Sequence, residues 1–163
     1  MRRASGIHVA GLLDLSDLPM RLHCAERAWA MTGEHAPVGG VRPALQARSI
    51  DEFELDGPPV LTFARSHDLL GDGSVVLVDL AGHTPGSVGV LLNTDDGPVL
   101  LAGDAAWHTT QIEHVCHKAS YPGLLVDEDR PLTLTTLHRL HAIRDKVRII
   151  PAHDPDAARA ISR

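Results

Sequence analysis

Three short segments of the sequence each place a side chain that can bind a metal ion just after an apolar stretch. The segments are Ala81-Gly82-His83-Thr84-Pro85-Gly86-Ser87, Leu101-Ala102-Gly103-Asp104 and Ile150-Pro151-Ala152-His153-Asp154. Two imidazoles and one carboxylate are ligands of a zinc-type hydrolytic centre. Each segment follows a predicted strand, and loops at strand ends commonly carry function while the strands hold them rigid. The pattern therefore predicts a shared metal site at the edge of a sheet.

Each of these residues also has an interpretation that involves no metal. His83 lies in a sharp turn rich in glycine and proline, where an imidazole can simply hydrogen-bond the turn. Asp104 could cap a helix or turn, although a carboxylate at a buried strand end is costly unless it is paired or metal-bound. Asp154 could orient the ring of His153 or cap a terminal helix. The presence of all three segments in one chain favours the metal site.

The elements that must position these residues are clearest in the second half of the sequence. Strands are predicted over residues 74–80, 88–93, 99–102 and 147–151. A turn at 95–98 joins two of them in a hairpin. Asp129 and Pro131 begin a helix with leucines at three-residue spacing, and Asp154 caps a terminal helix. Paired strands followed by helix, strand and helix predict the α+β class, with a sheet covered by helices on one face.

The first half of the sequence is less regular. Residues 19–24 are typical of a short strand and residues 26–32 of a short helix that Gly33 ends. Residues 35–59 contain many glycines and prolines and little periodicity. We interpret them as a long surface excursion that could cover a site as a flap.

Length and composition favour a single domain over residues 1–163. The formal charge of −6, from 15 basic and 21 acidic residues, argues against a nucleic-acid-binding surface. Two cysteines far apart in sequence do not form a disulfide framework, and this predicts a cytoplasmic location. No apolar run approaches the roughly 20 residues of a membrane-spanning helix, so we expect no membrane partner.

The three segments together resemble the metallo-β-lactamase-fold hydrolase superfamily. Their order, spacing and loop positions agree with it from about Val9 to the C-terminus. Gly-Asp-Ala-Ala-Trp and Pro-Ala-His-Asp are most similar to the lactonase-like branch, which includes N-acyl-homoserine lactonases. The resemblance implies a four-layer αββα sandwich with metals at one edge between its sheets.

The first motif of this family, H-x-H-x-D-H, is only partly matched. Residues 9–14 keep the small and leucine-rich turn that follows it, and His8 falls on the last histidine. Arg3, Ser5 and Ile7 fall on the other three ligand positions. The family's preceding strands have no counterpart, so we expect an N-terminally incomplete sandwich. A truncated or frame-disrupted hydrolase and a degenerate paralogue both explain this, and the abrupt loss of match just before His8 favours truncation.

The resemblance also implies a cofactor and a mechanism. In intact relatives two divalent metals, of the zinc type, share a hydroxide and the carboxylate that matches Asp104, and the hydroxide attacks a carbonyl. Here one site keeps only His83 and Asp104, whereas the other keeps His8, Asp104 and His153. Two protein ligands are usually too few for tight zinc binding, so we expect at most one zinc ion.

Trp107, three residues after Asp104, is a second candidate catalytic residue. Lactonase-type relatives often carry a tyrosine there that helps to polarise the substrate or the leaving group. An indole N–H can donate a hydrogen bond but cannot act as an acid. Packing of Trp107 beneath the flap is an equally good interpretation.

Two functions remain in competition. The first is a metal-dependent hydrolase that acts on a small-molecule ester, lactone or similar acyl bond. The second is a truncated or degenerate non-catalytic remnant that serves as an interaction module. Missing strands would leave one sheet face partly bare, and exposed apolar surface of that kind favours a homodimer.

Overall fold

A computed structural model describes residues 19–34, 36, 41–119 and 126–159 of the chain. Its strands, in chain order, are β1 (Met20–His23), β2 (Ile50–Phe53), β3 (Ser66–Asp68), β4 (Val75–Asp79), β5 (Val88–Thr94), β6 (Gly97–Gly103) and β7 (Arg148–Pro151). Its helices are α1 (Cys24–Thr32), α2 (Val41–Gln46), α3 (Thr109–His114), α4 (Arg130–Ile143) and α5 (Pro155–Arg159). The presence of both helices and strands confirms the predicted α+β class. Within the described ranges, no helix is both long and apolar enough to span a bilayer.

The strands form two sheets. The larger has five strands in the order β3-β4-β5-β6-β7, and the smaller pairs β1 with β2 in parallel. In the larger sheet all neighbours are antiparallel except β6 and β7, which are parallel. The predicted hairpin is confirmed, since β5 and β6 pair from Thr94 opposite Gly97 onwards.

Three strands of the larger sheet run in the same direction and end at the same edge. Because β5 is antiparallel to both β4 and β6, these two share one direction, and β7 is parallel to β6. The segments that follow β4, β6 and β7 carry His83, Asp104 and His153 respectively. A hydrogen bond of 3.1 Å from Ala152 N to Gly103 O joins the loop after β7 to the end of β6. The sheet thus brings together residues separated by about half the chain.

The core lies between the larger sheet and helix α4. Val78 and Leu100 from the sheet and Leu137 and Leu140 from the helix are fully buried in one apolar cluster. The leucine stripe predicted for this helix is therefore confirmed as its buried face. Full burial of each such side chain contributes about 1.5–3 kcal/mol. The helix begins where predicted, because the Asp129 carboxylate accepts a hydrogen bond of 2.9 Å from Leu132 N.

The interpretation of residues 35–59 as a surface excursion is wrong for the part that the structure describes. This part contains helix α2 and strand β2, and β2 pairs in register with β1. Leu45 and Leu55 are buried. The segment gave no strand signal because β2 has the sequence Ile-Asp-Glu-Phe, in which neighbouring acidic residues interrupt the alternation of apolar and polar positions.

Asp154 fastens the last helix to a distant loop. Its Oδ1 accepts bonds of 3.2 and 3.1 Å from Asp156 N and Ala157 N in the first turn of α5, which confirms the predicted cap. Its Oδ2 accepts bonds of 2.9 and 2.6 Å from N and Oγ1 of Thr109 at the start of α3. Burial alone would raise the pKa of Asp154, but the bonds from Thr109 outweigh it and lower that pKa to about 2.

Replacing Asp154 with alanine should lower the free energy of unfolding at neutral pH by about 1–2 kcal/mol, since four donors lose their acceptor. The folded pKa of about 2 lies below the ordinary value of 3.8. The stabilising contribution is therefore complete above that ordinary value and is lost as the pH falls through the folded pKa. In urea unfolding, the difference between parent and Asp154→Ala should shrink from about pH 4 to pH 2. Asp156→Ala, an exposed change in the same helix, is the control, and an equal effect from both variants would contradict the cap.

Candidate metal centre

Three predicted ligands meet at the edge of the larger sheet. His83 Nε2 lies 3.5 Å from Asp104 Oδ2, and His153 Nε2 lies 3.0 Å from Asp104 Oδ1. The side chains of His83 and Asp104 are 7% and 12% exposed, whereas that of His153 is 39% exposed. One carboxylate thus turns each of its oxygens toward a different imidazole, at a site that solvent reaches from the side of His153.

The ring of His83 is held from behind by a buried carboxylate. Its Nδ1 lies 3.1 Å from Asp127 Oδ1, and neither Asp127 nor the neighbouring Lys118 has any exposed side-chain surface. A carboxylate oxygen only accepts, so Nδ1 of the neutral ring donates and Nε2 keeps its lone pair. A second carboxylate or carbonyl that orients a metal-binding histidine in this way is a common feature of metal sites.

Lys118 neutralises the carboxylate that holds His83. Its ammonium donates to Asp127 Oδ1, and its Nζ lies 3.4 Å from His83 Nδ1. Burial lowers the pKa of Lys118, although the charge of Asp127 opposes that effect. Burial would raise the pKa of Asp127, but hydrogen bonds from His83 and Lys118 prevail and lower it. The result is a carboxylate that stays ionised inside the protein and keeps accepting from His83.

The loop that carries His83 is fixed by residues from two other elements. Gly82 has a φ of +138°, and a Cβ there would lie 2.6 Å from the backbone of Thr133 in α4, so this close approach requires glycine. On the other side of His83, Glu26 of α1 accepts bonds of 2.5 and 3.2 Å from Thr84 Oγ1 and Gly86 N. The imidazole therefore projects from a backbone held at both ends.

The donor set fits a divalent cation. With its proton on Nδ1, His83 presents an Nε2 lone pair to an oxygen of Asp104, which is also an acceptor. Two acceptors that face each other in a largely buried site are stabilised by a cation between them. Imidazole nitrogen and carboxylate oxygen are both ordinary ligands of zinc.

Trp107 lies against this cluster. Its ring meets that of His153 edge to face at 5.6 Å between centroids, and Lys118 Nζ lies 5.6 Å from the centre of the Trp107 ring. Its backbone N donates to Gln111 Oε1 at 2.7 Å, which fixes the start of the loop before α3. The predicted ligand His8 lies outside the described residues.

Lys118, Asp127 and Glu26 hold the site but were not found by sequence analysis. Lys118 is one of two lysines in the chain and directly follows Cys116-His117. Asp127 lies in an acidic run before α4 that reads as a helix start. The partners of these side chains are remote in sequence, and the rarity of lysine was the one available signal.

A cavity of about 680 Å³ opens beside the cluster. His83, Gly103 and Asp104 border it on one side. The rest of its wall is mostly apolar and comes from β1, α1, α2 and neighbouring strands and loops, including Met20, Leu22, Trp29, Leu45, Phe53, Leu69 and Leu77. The cavity can therefore accommodate the apolar part of a ligand whose other end lies at Asp104.

The family follows from a comparison with known proteins. A family model described as Metallo-beta-lactamase superfamily matches residues 8–153. The chain belongs to this superfamily. The resemblance inferred from the three segments is confirmed, and the matched range includes His83, Asp104 and His153 together with the structural residues Lys118 and Asp127.

Relatives of this superfamily member are hydrolases. A probable metallo-hydrolase of Mycobacterium tuberculosis, Rv2300c, is 29% identical over 171 residues, which are 91% of this chain and 52% of that protein. The N-acyl homoserine lactonase AttM of Azorhizobium caulinodans is 32% identical over 92 residues, which are 56% of this chain and 34% of AttM. The chain thus spans about half the length of the metallo-hydrolase that it matches.

A solved lactonase structure shares the fold. An N-acyl homoserine lactone hydrolase, solved with the product N-hexanoyl-L-homoserine at its catalytic metal centre, superposes with a TM-score of 0.67. The two are 18% identical, and the match covers 93% of this chain and 53% of the hydrolase. The prediction of a metallo-β-lactamase-like fold is therefore confirmed.

The buried pair behind His83 can be tested by its effect on stability. Asp127→Asn leaves the Lys118 ammonium buried without its charged partner, and the free energy of unfolding should fall by about 3–5 kcal/mol. Replacing both residues, as Asp127→Asn with Lys118→Met, should restore part of this loss because no unpaired charge remains. Urea unfolding of the parent, both single variants and the double variant measures the coupling. The exposed pair Asp156 and Arg159 provides a matched cycle with little coupling; strictly additive losses at 118 and 127 would exclude the buried pair.

Proposed function

We propose that the chain is a metal-dependent hydrolase that binds its metal at the centre formed by His83, Asp104 and His153. His8, which precedes the described residues, is proposed as a further ligand. The observation that carries the proposal is the orientation of Asp104, whose two oxygens each face the Nε2 of one imidazole, at 3.5 and 3.0 Å. Membership of the superfamily and the hydrolase relatives support it.

The residues of the chain divide the remaining tasks. A divalent ion such as zinc, when bound by these donors, lowers the pKa of water toward neutrality and polarises a carbonyl group. Asp127 keeps the His83 lone pair directed at the site, and Lys118 keeps Asp127 ionised. Trp107 restricts the half-exposed ring of His153 by its edge-to-face contact. We propose that Trp107 borders the bound substrate and that Asp104 is the central catalytic ligand.

We propose an ester, lactone or similar acyl compound as the small-molecule substrate. The cavity beside Asp104 supports this class, since its mostly apolar wall suits the hydrocarbon part of an acyl compound. The lactonase AttM and the lactone hydrolase of similar fold support it as well.

We further propose that the chain holds at most one zinc ion at this centre, functions as one domain over residues 1–163, and acts in the cytoplasm. The net charge of −6 supports a small-molecule substrate rather than a nucleic acid. A non-catalytic module that forms a homodimer through a bare sheet face is the alternative, and it differs from the hydrolase in needing no metal.

Metal analysis and hydrolysis assays on the purified full chain test the proposal. We expect turnover of a chromogenic ester or lactone that a chelator abolishes and zinc restores. Asp104→Asn and His153→Ala should each lower the metal content. Each should also lower turnover at least about 100-fold, because the metal supplies most of the charge stabilisation. Asp95→Asn, in the exposed turn before β6, is the control and should behave like the parent.

Three results would contradict parts of this proposal. Two metal equivalents at the centre would contradict the stoichiometry. Unchanged metal binding by His153→Ala would remove that ligand. A soluble metal-free dimer without turnover would favour the interaction module over the hydrolase.

A further inference from the structure

A second group of possible metal ligands lies where the small sheet meets helix α1. It consists of His23, Cys24 and Glu54, each of which offers one ligand atom within 4.8 Å of the others. Cys24 Sγ donates to Glu54 Oε1 at 2.5 Å, and His23 Nε2 lies 4.0 Å from Glu54 Oε2. None of these residues belongs to the cluster around Asp104.

The parallel pairing of β1 and β2 brings the three residues together. His23 is the last residue of β1 and is paired in register with Phe53, the last residue of β2. The residue that follows β1 is Cys24, and the residue that follows β2 is Glu54. The Phe53 ring also meets the His23 ring edge to face at 5.6 Å, which limits the orientations of the imidazole. The register therefore fixes this juxtaposition.

His23 supplies an independent sign that a ligand belongs here. Its side chain is only 8% exposed, and its Nε2, directed toward Glu54, has no hydrogen-bond partner among the described residues. A buried polar atom without a partner is costly and uncommon. The other ring nitrogen is already used, since Nδ1 accepts from Ala25 N at 3.2 Å at the start of α1.

The charges of the group also favour a cation. The hydrogen bond to Glu54 and the charge of its carboxylate raise the pKa of the Cys24 thiol, because a thiolate beside that carboxylate would be repelled. A divalent cation reverses this balance, since one thiolate and one carboxylate together neutralise its two charges.

We propose that His23 Nε2, Cys24 Sγ and a carboxylate oxygen of Glu54 bind one zinc-type cation, with water completing the coordination. The sulfur ligand selects a borderline or soft metal such as zinc over magnesium or calcium. Nitrogen and oxygen ligands of a tetrahedral zinc ion lie about 3.4 Å apart. The observed 4.0 Å between His23 and Glu54 closes to this value by a small movement of Glu54, whose side chain is 67% exposed.

Binding requires two proton movements. The thiol proton of Cys24 leaves to solvent. The imidazole proton moves from Nε2 to Nδ1, so His23 gives up its bond from Ala25 N and gains a bond to the metal. The cation then ties β1 and the start of α1 to the end of β2. Since α1 also carries Glu26, which holds the turn after His83, this second site fastens the helix that borders the first.

Cobalt titration of the full chain tests the site through a signal that needs sulfur. A cobalt–thiolate bond gives a charge-transfer absorption in the near ultraviolet, which His and Asp ligands alone do not give. We expect this absorption in the parent and its loss in Cys24→Ser. Cys116→Ser, which changes the other and exposed cysteine, is the matched control and should retain it. Absence of the band in the parent, or its persistence in Cys24→Ser, would overturn the proposal.

A second pair of variants keeps the sulfur in place. Glu54→Gln should weaken cobalt binding about tenfold or more, since losing even a residue that only supports a ligand costs roughly 10–100-fold in metal affinity. Asp56→Asn, an exposed carboxylate two residues away, should not. Circular dichroism establishes that both variants are folded, and equal binding by both would contradict a role for Glu54.

The cobalt–thiolate band reports on this site independently of the proposed hydrolysis. Asp104→Asn should retain the cobalt–thiolate band in full, because its change lies in the other cluster. In the parent chain, a cobalt–thiolate band together with absent hydrolysis would refute the proposed function and leave this site standing. Hydrolysis by the parent without the band would do the reverse. Loss of the band in Asp104→Asn would show that the sulfur signal does not come from an independent site.

Discussion

The hydrogen bond between His83 and Asp127 is the interaction on which the candidate centre depends. It places the imidazole proton on Nδ1 and leaves the Nε2 lone pair facing Asp104. Without a buried anion at this position, the proton could sit on Nε2 and bond Asp104 directly, and the pair would need no cation. The anion is stable in the interior only because Lys118 neutralises it. The buried ion pair of Lys118 and Asp127 thus determines the chemistry available to His83, which is remote from both of them in sequence.

The sheet supplies the second constraint. β4, β6 and β7 run in one direction, so the loops after them share an edge, and each contributes one of His83, Asp104 and His153. The hydrogen bonds between neighbouring strands fix the position of the last strand residue and therefore of the first residues of the loop that follows. Small displacements of side chains at such a site change its affinity for a cation strongly, which explains why ligands lie immediately beyond strands rather than at the tips of long loops.

Helix α1 links the two groups of candidate ligands. Glu26 in its first turn bonds the turn after His83, and His23 and Cys24 lie at its start. The same helix contributes Trp29 to the wall of the cavity that reaches Asp104. A movement of α1 would therefore displace the His83 turn and reshape the cavity together. Whatever holds the start of α1 to β2 also holds one side of the candidate active site.

The sequence by itself determined the local elements and the choice of three candidate ligands. The hairpin of β5 and β6, the buried stripe of α4 and the cap at Asp129 follow from patterns within a few residues, and His83, Asp104 and His153 follow from short motifs at strand ends. Only the tertiary structure decided the pairing of β2 with β1, the partnership of Lys118 with Asp127 and the meeting of Cys24 with Glu54. Each of these joins separate segments of the chain, and β2 lacks the alternation that would have marked it. Periodicity reports which face of an element is buried, whereas the partner that it meets there is set by strand register and helix packing.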